Sequence, residues 1–147
     1  MRVRSLSHSA YQLQYHIVWG TKYRMKFIIP AVKQILLEVV YGTIKKYPTL
    51  HIFTINTNRD HVHIHIEIPP NLPISSVVQK LKATSSFYLR KRFKFIKERY
   101  LEKEGIWSVG YFVSSVGLNE SQIRRYIEWQ DKREVPQTHR NLKFSLD

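Results

Sequence analysis

The sequence contains no cysteine, so disulfide bonds and thiolate metal sites are excluded, and any metal would need His, Asp, Glu or side-chain amide ligands. Acidic residues are scarce as well, with 11 Asp and Glu against 24 Lys and Arg, which gives a formal net charge of +13. No apolar run reaches the roughly 18 residues of a membrane span, and the N-terminus lacks the apolar core of a signal peptide. We therefore expect a soluble, cytoplasmic protein.

The excess of basic residues favours a polyanionic partner, and nucleic acid is the first candidate. A basic surface kept for solubility, or a structural protein of the ribosomal type, would carry a similar charge. Charge alone therefore does not separate an enzyme from a binding protein. The length of 147 residues suits one catalytic domain over residues 1–147, with a core at about 7–133 and a polar tail at 134–147.

Apolar periodicity predicts an alternation of strands and helices. Strands are predicted at residues 12–19, 50–56, 61–68 and 107–113. Helices are predicted to begin at Pro30, at Ser75 and at Asn119, the last with Gln122 in a capping box. The order β-α-β-β-α-β-α predicts an α+β fold: a ferredoxin-like (RRM-like) antiparallel sheet with helices on one face, followed by a C-terminal helix.

Three histidines alternate with apolar residues in the third predicted strand. Because side chains alternate between the two faces of a strand, His61, His63 and His65 project from the same face. One interpretation is ordinary polar alternation on a half-exposed strand. The other is a divalent metal bound by two neighbouring imidazoles, with coordination positions left open for phosphate oxygens.

The last predicted helix carries Tyr126 and Gln130 four residues apart, hence on one face, among several basic residues. A tyrosine in isolation is more commonly a core aromatic, and a free phenol with a pKa of about 10 is a weak nucleophile. The histidines upstream are what make a nucleophilic tyrosine a reasonable hypothesis.

Candidate DNA-contacting residues fall in two basic segments. Residues 79–103 contain nine basic and two acidic residues interleaved with aromatics, a mixture suited to phosphate contacts and base stacking. The alternative is that these lysines and arginines only cover a solvated helix face. The candidates are Lys22 and Arg24 in the loop after the first strand, and Lys80, Lys82 and Arg90.

Four segments together resemble one family. DHVHIHIEIPP, KLKATSSFYLRKRF, GYFVSSVG and IRRYIEWQ are similar, in this order and spacing, to the small single-tyrosine HUH transposases. These are the TnpA proteins of bacterial and archaeal insertion sequences, with the REP-associated tyrosine transposases as relatives. The resemblance covers roughly residues 7–130. His65 departs from the pattern, because many relatives have an apolar residue there, and we expect that it is not a required ligand.

The resemblance implies a mechanism. His61, His63 and Gln130 would hold Mg²⁺ or Mn²⁺, and Tyr126 would attack the scissile phosphate to give a 5′-phosphotyrosine and a free 3′-hydroxyl. The substrate would be single-stranded DNA with hairpin element ends. The family works as a homodimer with active sites completed in trans, for which Gly117 would supply a movable connection before the tyrosine helix. No nucleotide-binding P-loop is present, and no organic cofactor is implied.

Of three other functions, two remain open at this stage. A histidine-triad nucleotide hydrolase has a similar HφHφHφφ pattern, but Glu67 occupies a position expected to be apolar, and the net charge of +13 suits a mononucleotide enzyme poorly. A carboxylate-trio nuclease can be set aside, because the three aspartates, Asp60, Asp131 and Asp147, are too few and too poorly placed to form the trio without recruiting glutamates. A non-catalytic nucleic-acid-binding domain of RRM-like fold would keep the basic surface and aromatics without an active site.

Overall fold

A computed structural model describes residues 4–6, 9–11 and 13–133. The predicted polar tail at 134–147 lies outside these residues. The strands are β1 (Arg4–Leu6), β2 (Ser9–Tyr11), β3 (Gln14–Gly20), β4 (His51–Thr57), β5 (His61–Glu67) and β6 (Phe112–Ser114). The helices are α1 (Pro30–Ile44), α2 (Ile74–Arg92), α3 (Lys94–Arg99) and α4 (Glu120–Arg133), with a single 3-10 turn at Lys22–Arg24.

The main sheet has four antiparallel strands in the order β4-β5-β3-β6, and β1 pairs with β2 in a separate hairpin that the sequence analysis did not predict. This architecture, with α4 at the C-terminus, confirms the predicted α+β fold class. β3 is central, so its Val18 lies opposite His63 of β5 on one side and Phe112 of β6 on the other. The register therefore fixes which side chains of three strands are neighbours.

One face of the sheet forms the main core with α1 and α2. Ile17 and Trp19 of β3 are fully buried in it together with Ile64 of β5. α1 begins at Pro30, whose fixed φ suits the first helical position, and it buries a stripe at helical spacing. These packed helices leave the other sheet face for the histidines and α4.

The predicted strand at residues 107–113 is wrong in its extent. Trp107 makes only an isolated bridge to Thr21, and pairing with β3 resumes at Phe112–Ser114. Gly110 between them has φ of +90°, a conformation that glycine adopts readily and that breaks a strand. The long basic helix is also divided, because Phe93 is extended between α2 and α3.

α4 packs on the opposite face of the sheet, where Ile123, Tyr126 and Ile127 bury Val18. Its predicted start is confirmed by reciprocal bonds: the Gln122 backbone N–H donates to Asn119 Oδ1 and the Asn119 backbone N–H donates to Gln122 Oε1, both at 2.9 Å. Within the described part of the chain, no helix is long and apolar enough to cross a membrane.

Candidate active site

His61 and Asp60 form a tight pair at the start of β5. The His61 Nδ1 atom lies 2.9 Å from Asp60 Oδ1, and both side chains are only 12% exposed. Because a carboxylate can only accept, Nδ1 carries the proton, and Nε2 keeps the lone pair that a metal would need. Burial alone would raise the pKa of Asp60, but His61 and then Arg24 stabilise its charge and hold that pKa below its usual value.

His63 faces a histidine that the sequence motif did not include. Its Nε2 lies 3.2 Å from Nδ1 of His16 on β3, and the His16 ring stacks on His65 with centroids 4.2 Å apart. His65 Nε2 in turn lies 3.1 Å from Gln14 Oε1. Three histidines of the face are therefore joined in one contact chain from Gln14 to His63.

Burial lowers the pKa of each histidine in this chain. For His63 the neighbouring His16, His61 and His65 lower the pKa further, since each added positive charge would be repelled. For His16 the second cause is His65, and for His65 burial is the cause. The three imidazoles consequently favour their neutral forms, which are the forms that bind metals.

Tyr126 of α4 lies over the central strand beside these histidines. Its side chain is 8% exposed and packs against Val18, the residue paired with His63. Its ring also contacts Phe112, at 5.7 Å between centroids, and Trp129 at 6.1 Å. Tyr126 of α4 and the His-hydrophobe-His motif of β5 thus lie on one face of the sheet, with the tyrosine packed over the strand next to β5.

Gly20 allows α4 to approach this closely. A Cβ atom at Gly20 would lie 3.2 Å from Ile127 Cδ1 and 3.5 Å from the Asp60 carbonyl oxygen. Gly20 is also the residue of β3 paired with His61. A side chain there would force the end of the Ile127 side chain to shift by at least a few tenths of an ångström.

Gln130, the expected third ligand, is buried, and its amide is bonded to the backbone. Its side-chain Nε2 donates to the Val109 carbonyl oxygen, and no hydrogen bond links it to His61 or His63 in the part of the chain that is described. The bond to Val109 is made by the amide nitrogen of Gln130, and the atom that Mg²⁺ or Mn²⁺ would bind is the amide oxygen. Among residues 4–6, 9–11 and 13–133, no three His, Asp or Glu side chains are grouped to hold a metal.

A cationic cleft opens beside His61, between the turn that joins β4 to β5 and α4. It encloses about 180 Å³. Its basic lining residues are Arg24, Lys26, Arg59 and Arg124. The carboxylates of Asp60 and Glu120 also line it, but the four cations outnumber them, so the cleft suits a phosphate group next to the candidate metal ligands.

Comparison with known proteins identifies the family. The model of the family described as "Transposase IS200 like" matches residues 9–130. The chain belongs to the IS200-like transposase family. The transposase for insertion sequence element IS200 of Salmonella typhimurium is 32% identical over 127 residues, covering 86% of this chain and 82% of that protein. The ISDra2 transposase TnpA of Deinococcus radiodurans is 30% identical over 125 residues, covering 84% and 88%.

Two solved structures share the fold. A Deinococcus radiodurans R1 crystal structure, whose protein is described as a transposase, has a TM-score of 0.75 at 25% identity and covers 86% of this chain and 97% of its own. A REP-associated tyrosine transposase bound to a REP hairpin has a TM-score of 0.54 at 14% identity, covering 86% and 70%. The second likeness concerns the fold alone. The family assignment makes this chain a DNA transposase, a DNA-cleaving enzyme, and disfavours the histidine-triad hydrolase and the carboxylate-trio nuclease.

Two of the predicted DNA contacts of this transposase hold its own backbone. Lys82 Nζ donates to the carbonyl oxygens of Ser108 and Gly110 at 2.6 and 2.9 Å. Arg90 donates to the Glu104 carbonyl at 2.6 Å and to the Leu101 carbonyl at 3.2 Å. Both side chains therefore support the loop before β6, a role that the sequence did not reveal.

The other three predicted contacts are placed differently. Lys80 is exposed on α2, and Lys22 lies over the Tyr23 ring at 5.5 Å. Arg24 bonds Asp60 at 3.3 Å and approaches Asp131 of α4 at 3.7 Å. Of the five candidates, only Arg24 lines the cleft beside His61.

Proposed function

We propose that this transposase cleaves and rejoins single-stranded DNA by the single-tyrosine HUH mechanism, with Tyr126 as the nucleophile and His61 and His63 as metal ligands. The observation that carries the proposal is the position of Tyr126 on Val18, directly beside the strand pair that holds His63. The segment resemblance to single-tyrosine transposases points the same way.

The side chains at this position fit a divalent cation. Asp60 fixes His61 with Nε2 available, in the carboxylate–histidine arrangement that orients metal-bound imidazoles. His63 follows two residues later on the same face, and the amide oxygen of Gln130 is the proposed third ligand. When bound, Mg²⁺ or Mn²⁺ would polarise the scissile phosphate and neutralise its charge.

The reaction proposed for Tyr126 needs no external energy source. Its phenolic oxygen loses a proton and forms a bond to phosphorus, the bond from phosphorus to the 3′-oxygen breaks, and that oxygen takes up a proton. The downstream strand is left as a 5′-phosphotyrosine and the upstream strand as a free 3′-hydroxyl. Rejoining is the reverse attack by another 3′-hydroxyl, so one phosphodiester is exchanged for another.

The proposed substrate is single-stranded DNA with hairpin element ends. The REP-associated tyrosine transposase, which is described as bound to a REP hairpin, supports this kind of ligand. The cleft formed with Arg24, Lys26, Arg59 and Arg124 would hold a phosphate close to the scissile one. Lys22 and Lys80 remain proposed outer contacts, and Lys82 and Arg90 would act on DNA only through the loop they support.

We extend the proposal to a homodimer with active sites completed in trans. Within one chain α4 brings Tyr126 to the sheet, and the amide nitrogen of Gln130 is bonded to the Val109 carbonyl. The segment before α4 is exposed, with Val116 at 67%, and Gly117 gives it backbone freedom. Exchange of α4 between two subunits is a way to bring all three ligands together.

The test uses DNA oligonucleotides that tile the candidate element ends, labelled at either the 5′ or the 3′ end, with Mg²⁺ or EDTA, analysed on a denaturing gel. The 3′-labelled strand should become attached to protein and the 5′-labelled strand should be shortened, in Mg²⁺ only. Tyr126→Phe should abolish the adduct, whereas Tyr88→Phe, at a tyrosine 48% exposed on α2, should not.

An adduct that persists in Tyr126→Phe would contradict the assigned nucleophile, and an adduct formed equally in EDTA would contradict the metal. Tight binding across all oligonucleotides with no cleavage would instead favour a non-catalytic nucleic-acid-binding protein of the same fold.

A further inference from the structure

His16 and His63 are the pair of histidines that point ring nitrogens at each other on the open face of the sheet. Their Nδ1 and Nε2 atoms are 3.2 Å apart, although the residues are 47 positions apart in the chain. Two imidazole nitrogens bound to one zinc ion at about 2.0–2.1 Å would be about 2.9 Å apart at a right angle and about 3.4 Å apart at a tetrahedral angle. The observed separation falls between these values.

We propose that His16 and His63 form a second metal site, specific for late transition ions such as Zn²⁺, Ni²⁺ and Cu²⁺, which differs from the proposed His61–His63 pair but shares His63 with it. Side-chain rotations would direct both lone pairs at one ion, and the strands would keep their register. The site was not part of the His-hydrophobe-His motif, because His16 belongs to β3. Both protein ligands of the proposed site are imidazole nitrogens.

The chemistry of the two ligands selects the ion. Imidazole nitrogen prefers zinc, nickel and copper, whereas Mg²⁺ prefers oxygen ligands. Since the described residues include no third His, Asp or Glu grouped with this pair, water or a phosphate oxygen would complete the coordination. A bound ion would therefore be exchangeable rather than structural.

His65 and Gln14 keep His16 in position for this role. The His65 ring lies parallel to His16, with 14° between the planes, and is itself fixed by Gln14. A parallel stacked ring cannot share the same ion easily, because its nitrogens point along its own plane. His65 is therefore a positioning residue for His16, which gives the extra histidine of the motif a function.

The two metal sites share His63, so they exclude each other. This consequence depends on the proposed function, whereas metal binding by His16 and His63 does not. An ion between His16 and His63 would withdraw His63 from His61 and inhibit Mg²⁺-dependent cleavage. The inhibition would disappear when His16 is replaced.

The test is a Zn²⁺ titration of the untagged full-length protein, followed by calorimetry and by the ¹⁵N shifts of the imidazoles. His16→Asn and His63→Asn should each weaken binding at least about tenfold, since even the loss of an outer-shell partner has an effect of that size. His51→Asn should bind as the wild type does, because His51 lies on β4 and contacts Phe53 instead.

Unchanged Zn²⁺ affinity in His16→Asn, or an equal loss of affinity in His51→Asn, would overturn the proposal. So would a titration in which the His16 nitrogens do not shift, because the two rings would then share a hydrogen bond only. If His63→Asn does not fold, His16→Asn decides alone. Tyr126→Phe should keep Zn²⁺ binding, so a failure of the proposed cleavage mechanism is distinguishable from a failure of this site.

Discussion

Asp60 lies at the end of the turn between β4 and β5, and its two carboxylate oxygens face different partners. Oδ1 meets His61 Nδ1 at 2.9 Å and Oδ2 meets Arg24 Nε at 3.3 Å. Its backbone carbonyl also accepts from the Thr21 N–H at 2.9 Å. One residue therefore couples a proposed metal ligand, a cation of the cleft and the end of β3.

Replacement of the Asp60 carboxylate should weaken metal binding more than it destabilises the fold. In Asp60→Asn the loss of charge makes His61 a poorer ligand, and we expect the Mn²⁺ concentration for half-maximal DNA cleavage to rise about tenfold or more. The control is Asp131→Asn, which removes only the longer ion pair to Arg24 at 3.7 Å. An unchanged Mn²⁺ requirement in Asp60→Asn would mean that the pair does not orient the metal ligand.

At the residue scale, the sequence predicts chemistry within one strand and misses chemistry between strands. The common face of His61, His63 and His65 follows from the alternation of side chains in a strand, and the structure confirms that the three histidines lie on one face. The sequence did not predict His16 as a site residue, because its proximity to His63 depends on the register of β3 against β5. That register is set by the packing of both strands, which spacing in the sequence does not encode.

At the scale of elements, α4 depends on its capping box. The two bonds between Asn119 and Gln122 satisfy backbone N–H groups that the first turn leaves without partners. Asn119→Ala should lower the free energy of unfolding by about 1 kcal/mol and speed hydrogen exchange in α4. Ser121→Ala, at an exposed position within the same turn, should change neither measurement. Equal exchange in both variants would show that packing on Val18 holds the helix without the cap.

The histidine face of β3 and β5 should make stability depend on pH. The folded pKa values of His16, His63 and His65 lie below the usual 6.5, so the unfolded chain binds these protons more readily. Stability is therefore full above about pH 6.5 and falls as the pH decreases from there toward the folded pKa values.

The measurement is the melting temperature between about pH 7.5 and about pH 5.5. It should fall with pH in the wild type, less steeply in His16→Gln, and as in the wild type in the control His51→Gln, a histidine outside the contact chain. Parallel curves for all three proteins would contradict the account of buried neutral imidazoles.

Most elements were predictable from periodicity, and the exceptions have local causes. The first part of the strand predicted at 107–113 is lost where Lys82 reaches from α2 to bind the Ser108 and Gly110 carbonyls. Those carbonyls are then directed at a side chain rather than at a neighbouring strand. The break at Phe93 lies where that side chain packs against the main core, which is again a tertiary contact. Contacts of this kind are invisible to a pattern of apolar residues.

At the scale of the whole molecule, the net charge of +13 should make DNA binding depend strongly on salt. Removal of one cation that binds a phosphate should reduce the slope of log affinity against log salt by about 0.7 for single strands. The double variant Lys26→Gln/Arg59→Gln removes two cations of the cleft, and Lys45→Gln/Lys46→Gln, just after α1, is the matched control. If the slope of log affinity against log salt is reduced only in the control variant, the DNA does not bind in the cleft.

The central claim is that Tyr126 becomes linked to the 5′-phosphate of the cleaved strand, and the most direct test is to find the linked residue. The protein would be reacted with its DNA substrate and Mg²⁺, digested with nuclease and protease, and analysed by peptide mass spectrometry. The account predicts a nucleotide phosphate on the peptide that contains Tyr126 and on no other. A phosphate carried by another tyrosine, or by a histidine of β5, would contradict it.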